Sequence, residues 1–269
     1  AQTEKLTDYV NPFVGTDGYG NVYPGAQIPF GGIQISPDTD SRFYDAASGY
    51  KYNHLTLMGF SLTHLSGTGI PDLGDFLFIP GTGEMKLEPG THEDPDQGYR
   101  SRYSHDKEWA SPNYYAVELA DYGVKAEMTS GVRSGMFRFT YPESDNAFIM
   151  IDMNHTLWQS CEWSNLRMIN DSTITGYKLV KGWGPERHVY FTATFSKKLT
   201  GLRFVQDKKP VIYNTSRFRS SYEAWGKNLM ACISFDTKAG EEVTVKTAIS
   251  AVSTDGARNN MKELDGLTF

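Results

Sequence analysis

The chain predicts an all-β protein: a large β-sandwich (a supersandwich) with Gly- and Pro-rich loops and a helix only near its end. Three observations carry that reading. Short runs rich in Val, Ile, Phe, Tyr and Thr recur along residues 114–252. Clusters of Pro, Gly, Asn and Asp separate them. Helical periodicity is nearly absent. Many short strands divided by turn chemistry are the pattern of a sandwich or barrel.

The elements follow in chain order. Asn11 to Asp40 holds six Gly and four Pro, yet carries Phe13, Val14, Ile28, Phe30, Ile33 and Ile35. That composition suits an ordered, packed loop rather than a strand or helix. Ser61 to Phe76 is a second polar loop, and it runs into the strand-like DFLFIP. Tyr114–Leu119, Val124–Met128 and Met136–Tyr141 read as strands, with Gly131 and Gly135 at a hairpin or bend between the last two. Ala147–Met153 is apolar nearly throughout, as a strand buried on both faces is. Ile174–Val180, Val189–Phe195, Leu202–Val205, Met230–Phe235 and Val243–Val252 continue the series. Within VYFTATF, Val189, Phe191, Ala193 and Phe195 share one face. Only Ser221–Asn228, as a short turn, and Asp255–Leu264, with Asp255 as cap, look helical. Residues 1–254 are therefore expected to form the sandwich and 255–269 to begin a linker helix.

Bulk properties exclude several functions. A net charge of −6 argues against nucleic acid as the main partner. No apolar run approaches the ~18 residues of a membrane span. The first residues are polar, not a signal peptide, so the chain reads as cytosolic or as exported and processed. Cys161 and Cys232 make no disulfide framework; they read as two separate thiols, with a single bridge between them as the alternative. Of the 16 Tyr, 15 Phe and 5 Trp much belongs to the core, and any Trp and Tyr left over suit sugar stacking; composition does not separate the two. Trp183, Trp158 and Trp163 are the candidates for exposure. Asp152 and His155 read as a structural hydrogen-bonded pair.

Familiar motifs fail on inspection. Gly67-Thr68-Gly69 has the wrong spacing for a dinucleotide fingerprint and precedes a strand, not a helix. Asp94 to Gly98 hints at a calcium loop, but Tyr99 and His105 stand where an EF-hand needs Gly and Glu, so a solvated turn is expected. His54 and His64 lie too far apart for one-helix metal ligation, and no HExxH, paired CxxC or GxSxG occurs. Asn154, Asn170 and Asn214 head glycosylation sequons that matter only in a eukaryotic secretory host.

One constellation is specific. D-Y-V-N-P-F-V-G-T-x-G-x-G-x-x-x-P-G-A-x-x-P-F-G spans Asp8 to Gly31, and S-P-D-T follows at Ser36. G-Y-x-Y begins at Gly49, G-F-S-x-T-H-L-S-G-T-G runs from Gly59 to Gly69, and Gly74-Asp75 follows. E-x-A-S-P-x-Y-Y (Glu108–Tyr115), E-M-T-x-G-x-R (Glu127–Arg133) and G-W-G-P-E-R-x-V-Y-F (Gly182–Phe191) agree. Together these resemble the N-terminal domain of glycoside hydrolase family 92, the calcium-dependent exo-α-mannosidases of bacteria.

The resemblance implies a β-sandwich joined by helices to an (α/α)6 barrel. It places the catalytic acid and base, and most calcium ligands, on that barrel. No catalytic or metal-binding residue is therefore assigned to this chain, and calcium is expected only in the whole enzyme. The reaction implied is inverting, with two carboxylates about 6.5–9.5 Å apart. The part expected of this chain is a pocket wall at the domain interface. Thr16, Asp17, Gly18, Tyr19 and Asn21 form one loop of it. Ser66, Gly67, Thr68, Gly69, Ile70 and Asp72 form the other, with His64 at its base. The glycines allow close backbone approach, and the polar side chains suit sugar hydroxyls. The implied partners are a mannose-containing glycan and the C-terminal barrel, and the domain alone is expected to self-associate through its uncovered face. The implied location is the bacterial periplasm or cell surface, with a signal peptide removed. The alternative is a stand-alone mannose- or glycan-binding module without catalysis.

Overall fold

A computed structural model describes residues 5–42, 44–212 and 222–269. Two antiparallel sheets dominate. From edge to edge, the seven-stranded sheet runs Ser36–Asp38, Gly59–Ser61, Leu77–Thr82, Ser144–Asp152, Leu229–Thr237, Gly201–Gln206 and Lys209–Pro210. The nine-stranded sheet runs Glu223–Gly226, Ser160–Asn170, Thr173–Lys181, Arg187–Phe195, Glu241–Ser250, Ser134–Tyr141, Val124–Ser130, Tyr114–Leu119 and Glu108–Ser111. A two-stranded ribbon pairs Thr56–Leu57 with Ser101–Arg102.

The sheets face each other across an aromatic core. Phe60 and Phe78 come from the seven-stranded sheet, Phe137 and Phe191 from the nine-stranded one, and all are fully buried. Ring centroids lie 4.9 Å apart for Phe78–Phe137 and 6.4 Å for Phe78–Phe191, the tilted and edge contacts that rings prefer. Each such side chain contributes about 1.5–3 kcal/mol by leaving water.

Strand Ser144–Asp152 shows why its sequence is apolar throughout. Ala147, Ile149 and Ile151 face that core. Phe148 and Met150 face a second cluster with Leu77, Ile79, Tyr99 and Met230 on the sheet's other side. Val189, Phe191, Ala193 and Phe195 do fall on one buried face.

Two local expectations change. Glu223–Gly226, read as part of a helical turn, is an edge strand paired with Ser164–Arg167, and Ser221 lies outside the described residues. Backbone pairing to an existing strand outweighs weak helix propensity in a segment interrupted by Gly226. The C-terminal helix α1 spans Thr254–Asn260 and continues as a tighter 3-10 turn over Met261–Leu264. Its cap is Ser253, whose Oγ accepts from Gly256 N at 2.9 Å; Asp255 sits in the first turn instead. Residues 95–97 form a surface turn, with Asp96 paired to Arg102. Cys161 and Cys232 are separate, buried and free. The sequon at Asn214 lies outside the described residues.

Candidate functional site

Three loops meet at one end of the sandwich. Residues 62–76 join strands Gly59–Ser61 and Leu77–Thr82 of the seven-stranded sheet, and residues 182–186 join Thr173–Lys181 to Arg187–Phe195 of the nine-stranded sheet. Residues 153–159 cross from one sheet to the other. Gln159 Nε2 donates to Pro71 O at 2.8 Å, and Leu157 N to Leu73 O at 2.9 Å. Asp72 completes the junction: its Oδ1 accepts from Leu73 N at 2.7 Å and its Oδ2 from Trp183 N at 3.1 Å. Gly74 is required here. Its φ is +76°, and a Cβ would lie 2.7 Å from Leu157 Cγ.

The N-terminal loop reaches the same place. Gly67 N donates to Asn21 O at 2.7 Å, so residues 16–21 and 66–72 form one continuous surface. Tyr52 N donates to Thr16 O at 2.9 Å and Lys51 Nζ to Gly18 O, which fixes the loop from below. Asn21 has a left-handed φ of 50°, and its Oδ1 is buried without a hydrogen-bond partner among the described residues. A buried acceptor left unpaired costs about 1–3 kcal/mol, and a donor from a ligand or partner would recover that.

The twelve residues expected from the sequence divide by burial. Asp17, Gly18, Tyr19, Ser66, Gly67, Gly69 and Ile70 are exposed, while Asn21 and Thr68 are half-buried. Thr68 Oγ1 donates to Ile70 O at 2.9 Å, which holds the tip of the loop. Thr16, His64 and Asp72 are buried. Thr16 Oγ1 donates to Phe13 O at 2.8 Å, so these three position the exposed set.

His64 opens onto a buried charge network beneath the loops. Its Nε2 lies 2.7 Å from Asp38 Oδ1 and its Nδ1 2.9 Å from Gln34 O. His155 Nε2 lies 2.8 Å from Asp38 Oδ2, so His155 pairs with Asp38 and not with Asp152, as the sequence led us to expect. Asp152 instead accepts from Tyr99 Oη and Asn154 N. Lys178 Nζ, wholly buried, donates to His155 O at 2.6 Å and pairs with Asp75 Oδ1 at 3.1 Å. Arg187, where the loop after Trp183 enters its strand, pairs with Asp75 Oδ2 at 2.6 Å. The network ties both sheets together under the site.

Burial alone would raise the Asp38 and Asp75 carboxyls. The adjacent His64 and His155, and Lys178 and Arg187, instead hold both below the ordinary value of 3.8. Depressed carboxylates contribute stability that is present above the unfolded value and lost as pH falls below it. The midpoint of thermal unfolding should therefore fall between about pH 4 and pH 2, and Asp38→Asn should flatten that slope. Parallel pH profiles for the two proteins would show that Asp38 is not a source of it.

The sequence motifs contain Asp38, Asp75 and Arg187 without a role being assigned to them, and Lys178 and Gln159 were missed. One signal was available. Ile174, Gly176, Lys178 and Val180 share the inward face of their strand, and a lysine on an inward face requires a buried partner. Among the described residues, no three His, Cys, Asp or Glu are grouped so as to hold a metal ion. No helix among them is long and apolar enough to cross a membrane.

Comparisons with known proteins agree with this architecture. A family model described as the glycosyl hydrolase family 92 N-terminal domain matches residues 9–250. Over 139 residues the chain is 30% identical to an uncharacterized secreted glycosidase of Arthroderma benhamiae, covering 51% of this chain and 17% of that protein. It superposes on the structure of a family 92 glycosyl hydrolase with a TM-score of 0.82 and 26% identity, over 98% of this chain and 35% of the other. It shares its fold with the family 92 inverting mannosidase of Bacteroides thetaiotaomicron, with a TM-score of 0.79 and 24% identity, over 99% of this chain and 34% of that one. The chain thus spans about a third of either solved relative.

Proposed function

Because the chain belongs to glycoside hydrolase family 92, of which it is the N-terminal domain, we propose that it forms one wall of the substrate pocket of an exported, inverting exo-α-mannosidase. The acid and base act from a following (α/α)6 domain, and this chain supplies neither. Calcium belongs to that domain as well, and no step on these residues passes through it. A glycan with a terminal mannose is the substrate, and the periplasm or cell surface is where it is met. A sandwich end left uncovered without the barrel would drive self-association of the domain alone, which light scattering of the isolated domain at high concentration tests.

The observation that carries this reading is the joining of loops 16–21 and 66–72 through Gly67 N and Asn21 O. Asp17, Tyr19, Ser66 and Ile70 are exposed on the two loops so joined, above buried ion pairs of Asp38 and Asp75. Exposed polar groups and backbone on a rigid base can bond hydroxyls without first being ordered, which keeps the entropy cost of binding low. Ile70 is 45% exposed and offers an aliphatic face to a sugar, a weaker platform than a ring. It is the position where linkage preference is set.

The test is kinetic, on the full-length protein with an aryl α-mannoside. Gly69→Val and Thr68→Ala should each lower kcat/KM about tenfold while the unfolding midpoint holds. Unchanged kcat and KM in both would remove these loops from the pocket.

A further inference from the structure

A second cavity uses none of residues 16–21 or 66–72. It is a groove of about 970 Å³ beside the crossing segment 153–159, bordered also by the turns at 207–208 and 227–228. One exposed ring stands on its wall: Trp158 is 54% exposed. The ring of Tyr44, 58% exposed and outside the lining, is tilted against it with centroids 5.7 Å apart.

Trp158 has a left-handed φ of 67°. Asp207 and Lys208 share that conformation, but they are the two turn residues of the hairpin Gly201–Pro210, where left-handed pairs belong. Trp158 lies instead in the bend of the crossing segment, where its N donates to Thr156 O at 3.2 Å and Thr156 Oγ1 donates to Gln159 O at 2.7 Å. A bulky residue there costs on the order of 1–3 kcal/mol, and its ring is left half in water rather than packed. Strain that secures an exposed ring is strain spent on what the ring contacts.

The other groups define the ligand. The rim cations are already neutralised: Arg42 lies 3.3 Å from Asp40, Lys208 2.6 Å from Glu88 and Lys227 3.2 Å from Glu162. An anion would have to displace a carboxylate. Asp152, Asn154, Asp207 and Asn228 add carboxylate and amide groups to the lining, with Asp207 Oδ1 and Asn228 Nδ2 held together at 2.8 Å. An apolar ring in such a lining fits a molecule with a C–H face and a hydroxyl edge, without net charge. We propose that this groove is a saccharide site of its own, stacking a neutral pyranose of a glycan chain on Trp158.

The experiment uses the full-length protein labelled with 5-fluorotryptophan, the Trp158 resonance being assigned by its loss in Trp158→Phe. The probe is thio-linked α-mannobiose, which resists hydrolysis. The Trp158 resonance should shift saturably up to about 10 mM probe, and should do so equally in Gly69→Val. Calorimetric titration of the same probe in the Gly69→Val background should show binding at least about tenfold weaker when Trp158→Gly is added, without a lower unfolding midpoint, because glycine relieves the backbone. A resonance that never moves overturns the site. So does one insensitive to solvent deuteration, because the groove is then covered in the whole protein. A Trp158→Gly protein that binds normally but melts early makes the ring a packing residue and also overturns it. Loss of the shift in Gly69→Val would assign the probe to the loop site and remove the groove as a separate one. Loss of kcat/KM in Gly69→Val with the Trp158 shift intact separates this outcome from failure of the pocket-wall reading.

Discussion

Asp75→Ala is expected to destabilise the domain by about 3–5 kcal/mol, the cost of stranding a buried charge. Domains of this kind have about 5–15 kcal/mol in total, so much of the population would unfold at modest denaturant. The size follows from what is left behind. Lys178 is wholly buried, and its Nζ faces Asp75 Oδ1 at 3.1 Å, His155 O at 2.6 Å and the Phe76 ring at 5.4 Å. Removing the carboxylate leaves an ammonium among groups too weak to replace it. Arg187 is 27% exposed at its side chain and recovers water, so it adds little to the loss. The double variant Asp75→Leu with Lys178→Met should regain most of the stability, since an apolar pair of similar volume avoids desolvating two charges. Urea denaturation followed by tryptophan fluorescence measures all three proteins. A loss below about 1 kcal/mol for Asp75→Ala would mean that Lys178 finds another partner.

The same residues show what the sequence can reveal and where it stops. Strands Tyr114–Leu119, Thr173–Lys181 and Arg187–Phe195 were legible because one face packs on a core, so alternation survives in the sequence. Ala147–Met153 was legible because both faces are buried. The two-residue ribbon at Thr56–Leu57 was not, since so short a run has no period to detect. The loops 16–21 and 66–72 were legible as ordered from their mixture of glycine with apolar residues, but their meeting through Gly67 and Asn21 spans 46 residues of sequence and leaves no local mark. The charge network was hidden for the same reason. Asp38, His64, His155 and Lys178 come from four separate elements, and each looks like an isolated polar residue until the sheets are stacked. Asp152 and His155 looked like partners because they are neighbours in sequence. At the end of a strand, residues so spaced can be turned to different surroundings, and here Asp152 borders the groove while His155 reaches inward to Asp38.

On the pocket-wall proposal, Asp72→Ala in the full-length protein is expected to lower kcat/KM about 100-fold, the scale of a displacement of about 1 Å in a group that positions substrate. The argument rests on where the two ends of its carboxylate go. Oδ1 holds Leu73, which has a left-handed φ of 71°, at the turn that closes loop 66–72. Oδ2 holds Trp183 N, at the tip of a hairpin from the opposite sheet. One side chain thus sets the distance between two loops that no strand pairing connects. Alanine frees both, and each then relaxes with its own sheet. Asp72→Asn retains an acceptor for only one of the two N–H groups, so a loss of about tenfold is expected, between alanine and the native residue. A residue that served stability alone would lower the unfolding midpoint in both variants and leave kcat/KM unchanged in the folded fraction. A residue that spaces the loops gives the reverse, because Gln159, Leu157 and the ion pairs of Asp75 still hold the fold around it. Measuring kcat/KM and the midpoint on the same preparations separates the two, and an unchanged kcat/KM would leave Asp72 as a clamp of the sandwich with no part in placing the sugar.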